Sequence, residues 1–160
     1  MADLKLKYGT SVVVTCTLAN LPTATAWQST AMDNSGLLAV DASLYMRIGL
    51  MTGGTTGNEN MVHIYFYGSQ DKTKFSDDVS GVDAAFAIKT THNLRGPFSL
   101  NFQGATAAPA FCAVIPSVAS YFGGVLPVYW GVVVHNRTNT KLATGTTMTA
   151  SYTPIYLQSV

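Results

Sequence analysis

The chain has 160 residues, of which 48% are hydrophobic and only 11% are charged, whereas about 25% of the residues of a typical soluble domain are charged. This length suits one domain, so we expect residues 1–160 to fold as a single unit. Neutral polar side chains must therefore cover much of the surface, and they lose less free energy than charged ones when a neighbouring subunit buries them.

The net charge of +1 conceals two unlike halves of the chain. Through Asp83 the sequence has eight acids and five bases, whereas residues 84–160 contain four bases and no acid. Nucleic-acid-binding proteins normally cluster Lys and Arg on one surface, and four scattered bases do not form such a cluster. We expect no nucleic-acid partner.

The first residues, about 1–10, read as a short N-terminal arm with charges at Asp3, Lys5 and Lys7. They lack the apolar stretch of a secretion signal, which favours a protein made and assembled in the cytoplasm. The apolar runs that follow, such as Val12–Val14, are far shorter than the roughly 20 residues of a membrane helix. We therefore expect no membrane partner.

Apolar and polar residues alternate along most of the chain, which predicts about eight or nine strands and no long helix. Breaks rich in Gly, Asn, Asp and Ser separate them, at Asp33–Gly36, Thr52–Asn58, Ser69–Asp83 and Gly123–Gly124. The pattern predicts an all-β, single-domain antiparallel β-sandwich of jelly-roll type. The predicted strands are Ser11–Leu18, Ala24–Ser29, Ser43–Met51, Asn60–Gly68, Ala84–Lys89, Phe98–Gln103, Ala110–Ile115, Val128–Asn136 and Thr147–Gln158.

Trp27 stands beside Gln28 and Ser29, a combination that also occurs in sugar-binding sites. The sequence supplies no second aromatic residue or acid at a fixed offset from it. We therefore interpret Trp27 as a packing residue of the sandwich near a sheet edge, whose replacement by Ala would destabilise the fold.

The segment Met61–Gly68 carries two chemically distinct faces. Alternation directs Val62, Ile64 and Phe66 to the core and places the other three side chains on the opposite face. Those three are aromatic rings that either contact a partner or lie beneath a loop of the same chain. They are His63, Tyr65 and Tyr67.

No motif points to catalysis, to a metal or to a cofactor. His63, His92 and His135 lie far apart in sequence without neighbouring ligands, and the acids of Asp71–Asp83 do not follow the spacing of a calcium-binding loop. Nucleophile elbows and phosphate-binding loops are lacking as well. We expect a protein that is not an enzyme, and we expect free, buried thiols at Cys16 and Cys112.

Several stretches together resemble the small jelly-roll structural proteins of tailed bacteriophages, including the cement or decoration proteins of phage heads. The resemblance covers most of the chain but includes no catalytic motif. It rests on Trp27-Gln28-Ser29, Asp33-Asn34, Asp41–Leu50, Thr52–Gly57 with the Tyr-rich strand that ends at Gly68-Ser69, Gly123–Val134 and Asn136.

The resemblance implies a virion component on the capsid exterior, added to the particle in the host cytoplasm. Its expected partners are the major capsid protein and further copies of itself, as a dimer or trimer. The alternative is a tail-fibre or receptor-binding jelly roll that recognises a host glycan. The residues that we expect to contact a partner are His63, Tyr65, Tyr67, Tyr129 and Trp130.

Overall fold

A computed structural model describes residues 3–51, 60–89, 93–102, 110–145 and 148–159, and these form two antiparallel sheets with one hydrophobic core between them. The predicted break at Thr52–Asn58 lies outside the described residues. The first sheet contains β1 (Leu4–Tyr8), β2 (Val12–Val13), β5 (Asp41–Gly49), β9 (Ala110–Ile115) and β11 (Thr149–Ser159). The second contains β3 (Thr25–Gln28), β4 (Met32–Asp33), β6 (Met61–Ser69), β7 (Ala84–Phe86), β8 (Arg95–Asn101) and β10 (Tyr129–Arg137).

The strand order within the described residues is β1-β11-β5-β9 in the first sheet and β7-β3-β10-β6-β8 in the second. β1 and β2 lie end to end along β11, and β3 and β4 lie end to end along β10, so each pair is one interrupted strand. Without β7, the strands numbered along the chain have the order 1-8-3-6 in one sheet and 2-7-4-5 in the other. This is the order of a jelly roll, and the predicted fold class is confirmed.

Alternation along the central strands builds the core. The even-numbered side chains from Ala42 to Ile48 in β5 are fully buried, and so are Val62, Ile64 and Phe66 in β6. β10 adds Trp130, and its neighbours Val132 and Val134 complete this layer. The side chains between them point away from the core, so each sheet has a distinct outer face.

Trp27 lies in β3, next to the edge strand β7, and packs against this core from a half-buried position. Its indole N–H donates a hydrogen bond to the Asp83 carboxylate at 2.5 Å. Thr17 donates to the same carboxylate from its backbone N–H at 2.8 Å and from its hydroxyl. Asp83 thus joins the residues before β3 to the start of β7.

The segment between β6 and β7, residues 70–83, covers one end of the outer face of the second sheet. Phe75 and Val79 from this segment pack on Tyr67 and Val133 and form a second, smaller hydrophobic cluster. The Gln28 side chain fixes the segment in place, since it accepts from the Ser80 N–H at 3.0 Å and donates to the Ser80 hydroxyl at 2.8 Å. The other end of this face lies beyond the cover.

Two expectations about the outside of the protein need correction. Part of the expected N-terminal arm is strand β1, which pairs with β11 from Leu4 to Tyr8 and leaves its side chains exposed on both faces. Cys16 and Cys112 are free thiols, but Cys16 is only half-buried and Cys112 is exposed. Cys112 occupies an outward position of β9, where its sulfur lies 3.1 Å from the Tyr45 hydroxyl. Among the described residues, no helix is long and apolar enough to span a membrane.

Candidate functional site

Two of the predicted partner residues lie together on the outer face of the second sheet. His63 and Tyr65 occupy outward positions of β6, with ring centroids 6.1 Å apart. The ring of His135, at the opposed position of β10, lies 6.5 Å from that of His63. Ser99 of β8 fixes His63 by a hydrogen bond of 2.8 Å between its hydroxyl and Nδ1. Histidine and tyrosine rings from neighbouring strands thus share one half-buried surface.

Tyr67 points to the same side of the sheet, but residues 70–83 cover it completely. Its side chain is 0% exposed, and its hydroxyl donates a hydrogen bond of 2.7 Å to the Ser29 carbonyl. Burial raises the pKa of Tyr67 well above its ordinary value, although the bond to Ser29 opposes that shift. The prediction that Tyr67 contacts a partner is wrong because a loop of its own chain covers it.

Trp130 and Tyr129 are adjacent in β10 and therefore point to opposite faces of the second sheet. Trp130 is 1% exposed and packs in the core against Tyr152, with ring centroids 5.2 Å apart. It cannot contact a partner, which corrects that prediction. Tyr129 is half-buried on the outer side, where the Lys72 ammonium lies 5.7 Å from its ring centroid. A partner contact at Tyr129, as at His63 and Tyr65, stays a prediction.

A groove of about 1120 Å³ opens on the uncovered end of this face. Tyr65, His135 and Arg137 line it from β6 and β10, and Phe86 lines it from β7. Partial burial raises the pKa of Tyr65, and the nearby positive charge of Arg137 acts in the opposite direction. We call this feature the second-sheet groove.

The outer face of the first sheet has a different character. In β5, the residues between the buried core positions are Ser43, Tyr45 and Arg47, which are half-buried or exposed. The strand registers place Tyr45 opposite Val114 of β9 and opposite Ser151 of β11, and place Ser151 opposite Val13 of β2. Directly opposed residues share a face. A continuous outward row therefore crosses the sheet as Val114, Tyr45, Ser151 and Val13.

Further rows continue this face along the pairing of β1 with β11. Leu6 is opposite Leu157, and Leu4 is opposite Ser159. These leucines are exposed, Leu6 at 63%, while Val13 is 78% and Val114 58% exposed. Between Leu157 and Ser151, the outward positions of β11 are Ile155, which is buried, and Thr153. We call this surface, from Leu4 and Leu157 to Val114, the first-sheet face.

The first-sheet face is large enough for a specific contact. β11 has 11 residues, which corresponds to about 37 Å at about 3.4 Å per residue. Four strand positions at about 4.8 Å spacing give a width of about 19 Å, so the face covers about 700 Å² at most. Specific protein interfaces bury roughly 600–1,000 Å² on each partner, so the face suffices for such a contact when most of it is covered. Exposed Leu, Val and Tyr among hydroxyl side chains are typical of a surface that another protein covers.

Sequence reasoning missed the residues of the first-sheet face. The alternation of Leu4, Leu6 and Tyr8 with lysines was a signal for an amphipathic strand, but the charges led to its interpretation as an arm. Tyr45 and Val114 lay within predicted strands, and pattern alone does not say that both strands direct these residues away from the core.

The His, Cys and acidic side chains in the described part of the chain do not cluster as metal ligands. Among its residues, no three His, Cys, Asp or Glu side chains lie close enough to hold a metal ion. The Asp71 carboxylate accepts hydrogen bonds from the backbone of Thr73 and Lys74, both at 2.9 Å, which orders its own loop. These bonds hold the pKa of Asp71 below its ordinary value.

Comparisons of the chain with protein-family models, with curated proteins and with solved structures find no match.

Proposed function

We propose that this protein is a non-enzymatic structural protein of a virus particle, which attaches to the outside of a bacteriophage head and stabilises it. The observation that carries the proposal is the first-sheet face, an exposed and largely uncharged surface of Leu, Val and Tyr among Ser and Thr. The resemblance of the sequence to phage cement and decoration proteins supports the choice of partner.

The first-sheet face suits a permanent protein contact on physical grounds. Its exposed apolar side chains gain free energy when they leave water, at about 25 cal/mol for each Å² buried. Its hydroxyl groups lose little on burial when they find hydrogen-bond partners. In the rows that cross β5 and β11, Arg47 and Asp41 are the charged side chains among the described residues. Few ion pairs must therefore be rearranged on contact.

Cementing follows from this contact when one molecule, or one small oligomer, touches two neighbouring capsid subunits. Separation of these subunits by heat or internal pressure must then also break the contacts of the cement protein. The capsid lattice repeats the contact many times, and binding through several linked sites multiplies its effect. The major capsid protein is the proposed partner, and the proposed assembled form is a dimer or trimer on the capsid exterior.

To test the proposal, purified protein is mixed with phage heads that lack it. Binding is measured by co-sedimentation, and stabilisation is measured as a rise in the temperature at which the heads release DNA. Val114→Asp puts a charge into the first-sheet face at its β9 side and is expected to abolish co-sedimentation. Val125→Asp is the matched control, because Val125 is also exposed but lies in the connection before β10. It is expected to bind like the unchanged protein.

Three outcomes would overturn the proposal: no co-sedimentation of the unchanged protein, equal binding of the two Asp variants, or electron micrographs that place the protein on tails. Circular dichroism of both variants confirms that the sandwich is folded before binding is compared.

A further inference from the structure

The second-sheet groove is separate from the first-sheet face, since the two lie on opposite outer sides of the sandwich. Its volume of about 1120 Å³ is slightly above the roughly 300–1,000 Å³ of small-molecule sites. The cover formed by residues 70–83 ends beside it, so the groove is open to ligands that the covered half of the face excludes.

The walls and floor of the groove differ in character. Tyr65 and Phe86 supply aromatic rings, whereas Ala26 keeps the floor free of a large side chain. Polar side chains suited to hydroxyl ligands also line the groove, among them Asn139 and His135. Aromatic faces combined with a few hydrogen-bonding groups suit a ligand with an apolar face and many hydroxyls, as a sugar ring has.

The charge of the groove is positive. Arg137 and Lys89 line it, and no acid is among the described residues that line it. Lys89 also forms an ion pair with Asp78 at an exposed position, whereas Arg137 supplies the positive charge that acts on Tyr65. A planar guanidinium binds a carboxylate through two parallel hydrogen bonds. The groove therefore favours a negatively charged ligand.

The backbone of the sheet argues against a peptide as that ligand. Peptides commonly add to a sheet through backbone hydrogen bonds at an exposed strand edge. β10 lies between β3 and β6, and its backbone pairs with both, so the floor of the groove offers side chains, and the edge strand β7 lines the groove only at its wall. A sugar chain binds to aromatic ring faces and to hydrogen-bonding side chains, and it does not need an exposed strand edge.

We infer that the second-sheet groove binds an acidic saccharide, with a sugar ring on Tyr65 and its carboxylate on Arg137. This inference does not depend on attachment to a phage head. A protein with both surfaces would hold to a particle through one side of the sandwich and present the saccharide site on the other.

The test is a calorimetric titration with hexagalacturonate, a chain of six sugars that each carry a carboxylate, and with maltohexaose as the neutral chain of equal length. We expect saturable binding of the acidic chain alone, weakened at about 0.5 M NaCl because salt screens the attraction. Arg137→Gln and Tyr65→Ala are each expected to weaken binding by about tenfold or more, the effect of losing one central contact.

Arg47→Gln is the matched control for Arg137→Gln, because it makes the same change on the first-sheet face. It should leave saccharide binding unchanged. Absence of saturable binding, equal binding of both sugar chains, or unchanged binding by Arg137→Gln would each overturn the inference. Displacement of the acidic saccharide by an equal concentration of a hexaglutamate peptide would overturn it in favour of an acidic peptide.

The two proposals fail separately. Val114→Asp should lose head binding and keep saccharide binding, and Arg137→Gln should show the reverse. Tyr65→Ala is compared with the unchanged protein by near-ultraviolet circular dichroism, so that a loss of binding is distinguished from a loss of structure.

Discussion

Replacement of Gly131 by Ala should destabilise the protein more than its size suggests. Gly131 is directly opposite Tyr67 in the pairing of β10 with β6. A Cβ atom at this position would lie 2.6 Å from Cε1 of Tyr67, and still closer to its Cζ and Oη atoms. The tyrosine ring lies across the glycine, and Phe75 and Val79 prevent it from moving outward.

Two effects set the expected magnitude. Overpacking of a buried site costs about 1–3 kcal/mol. A displaced ring also breaks the 2.7 Å hydrogen bond from the Tyr67 hydroxyl to the Ser29 carbonyl, and a buried polar group without its partner costs about 1–3 kcal/mol. Gly131→Ala should therefore lower the free energy of unfolding by about 2–6 kcal/mol. For a chain of this size, each kcal/mol lowers Tm by about 2–4 °C.

Urea unfolding followed by circular dichroism measures the effect, with Gly36→Ala as the control. A Cβ atom at Gly36 would meet nothing within 4 Å, so that variant should change stability by less than about 0.5 kcal/mol. In the double variant with Tyr67→Ala, the overpacking is gone and the bond is already lost, so the total loss should be smaller than the sum of the single losses by about 2–6 kcal/mol, the cost of Gly131→Ala alone. Additive losses, or equal stability of the Gly131→Ala and Gly36→Ala variants, would refute the reasoning.

Two further predictions concern the attachment of β3 to Asp83. Trp27→Ala should lower the free energy of unfolding by about 3 kcal/mol, as a large core truncation does. Trp27→Phe should lower it less, because this change removes mainly the indole N–H donor. Urea unfolding of both variants measures the two losses, and equal losses would contradict this prediction. Burial acts to raise the pKa of Asp83 and is the largest single influence, but its hydrogen bonds to Thr17 and Trp27 together lower it below the ordinary 3.8. The stability from the ionised carboxylate is therefore present above pH 3.8 and is lost as the pH falls through the lower folded value. Asp83→Asn should be less stable than the unchanged protein near neutral pH, and unfolding curves at falling pH should show the gap narrow; a constant gap would contradict this.

Alternation was sufficient to predict most strands, because the sandwich buries one side of each central strand. Val62, Ile64 and Phe66 were placed in the core for this reason, and they are fully buried. β1 was missed because its side chains are exposed on both faces, and no burial pattern distinguishes such a strand from an arm. The alternation of residues shows which side of a strand faces the core, but it says little about which segments cover the other side.

The same limit explains the errors in the predicted partner residues. Tyr67 has the outward phase expected for β6, but its burial depends on residues 70–83, the loop after β6, which folds back over the sheet in a way that alternation does not predict. Trp130 is a different case. Neighbours in a strand face opposite sides, so Tyr129 and Trp130 could not both face one partner, and the sequence alone allowed that conclusion. The second-sheet groove needed the structure, since its wall and floor come from different strands.

The lysines of β1 restrict how two copies of this protein can associate. β1 is the edge of the first sheet, so its outer backbone groups could in principle pair with the same strand of a second copy. An antiparallel pair centred on Leu6 would place Lys5 of each copy directly opposite Lys7 of the other, and opposed like charges destabilise such a pair. The lysines thus disfavour strand pairing between copies at the β1 edge in this register. In the proposed attachment to a capsid, this edge would help to keep free copies from joining strand to strand before they reach the lattice.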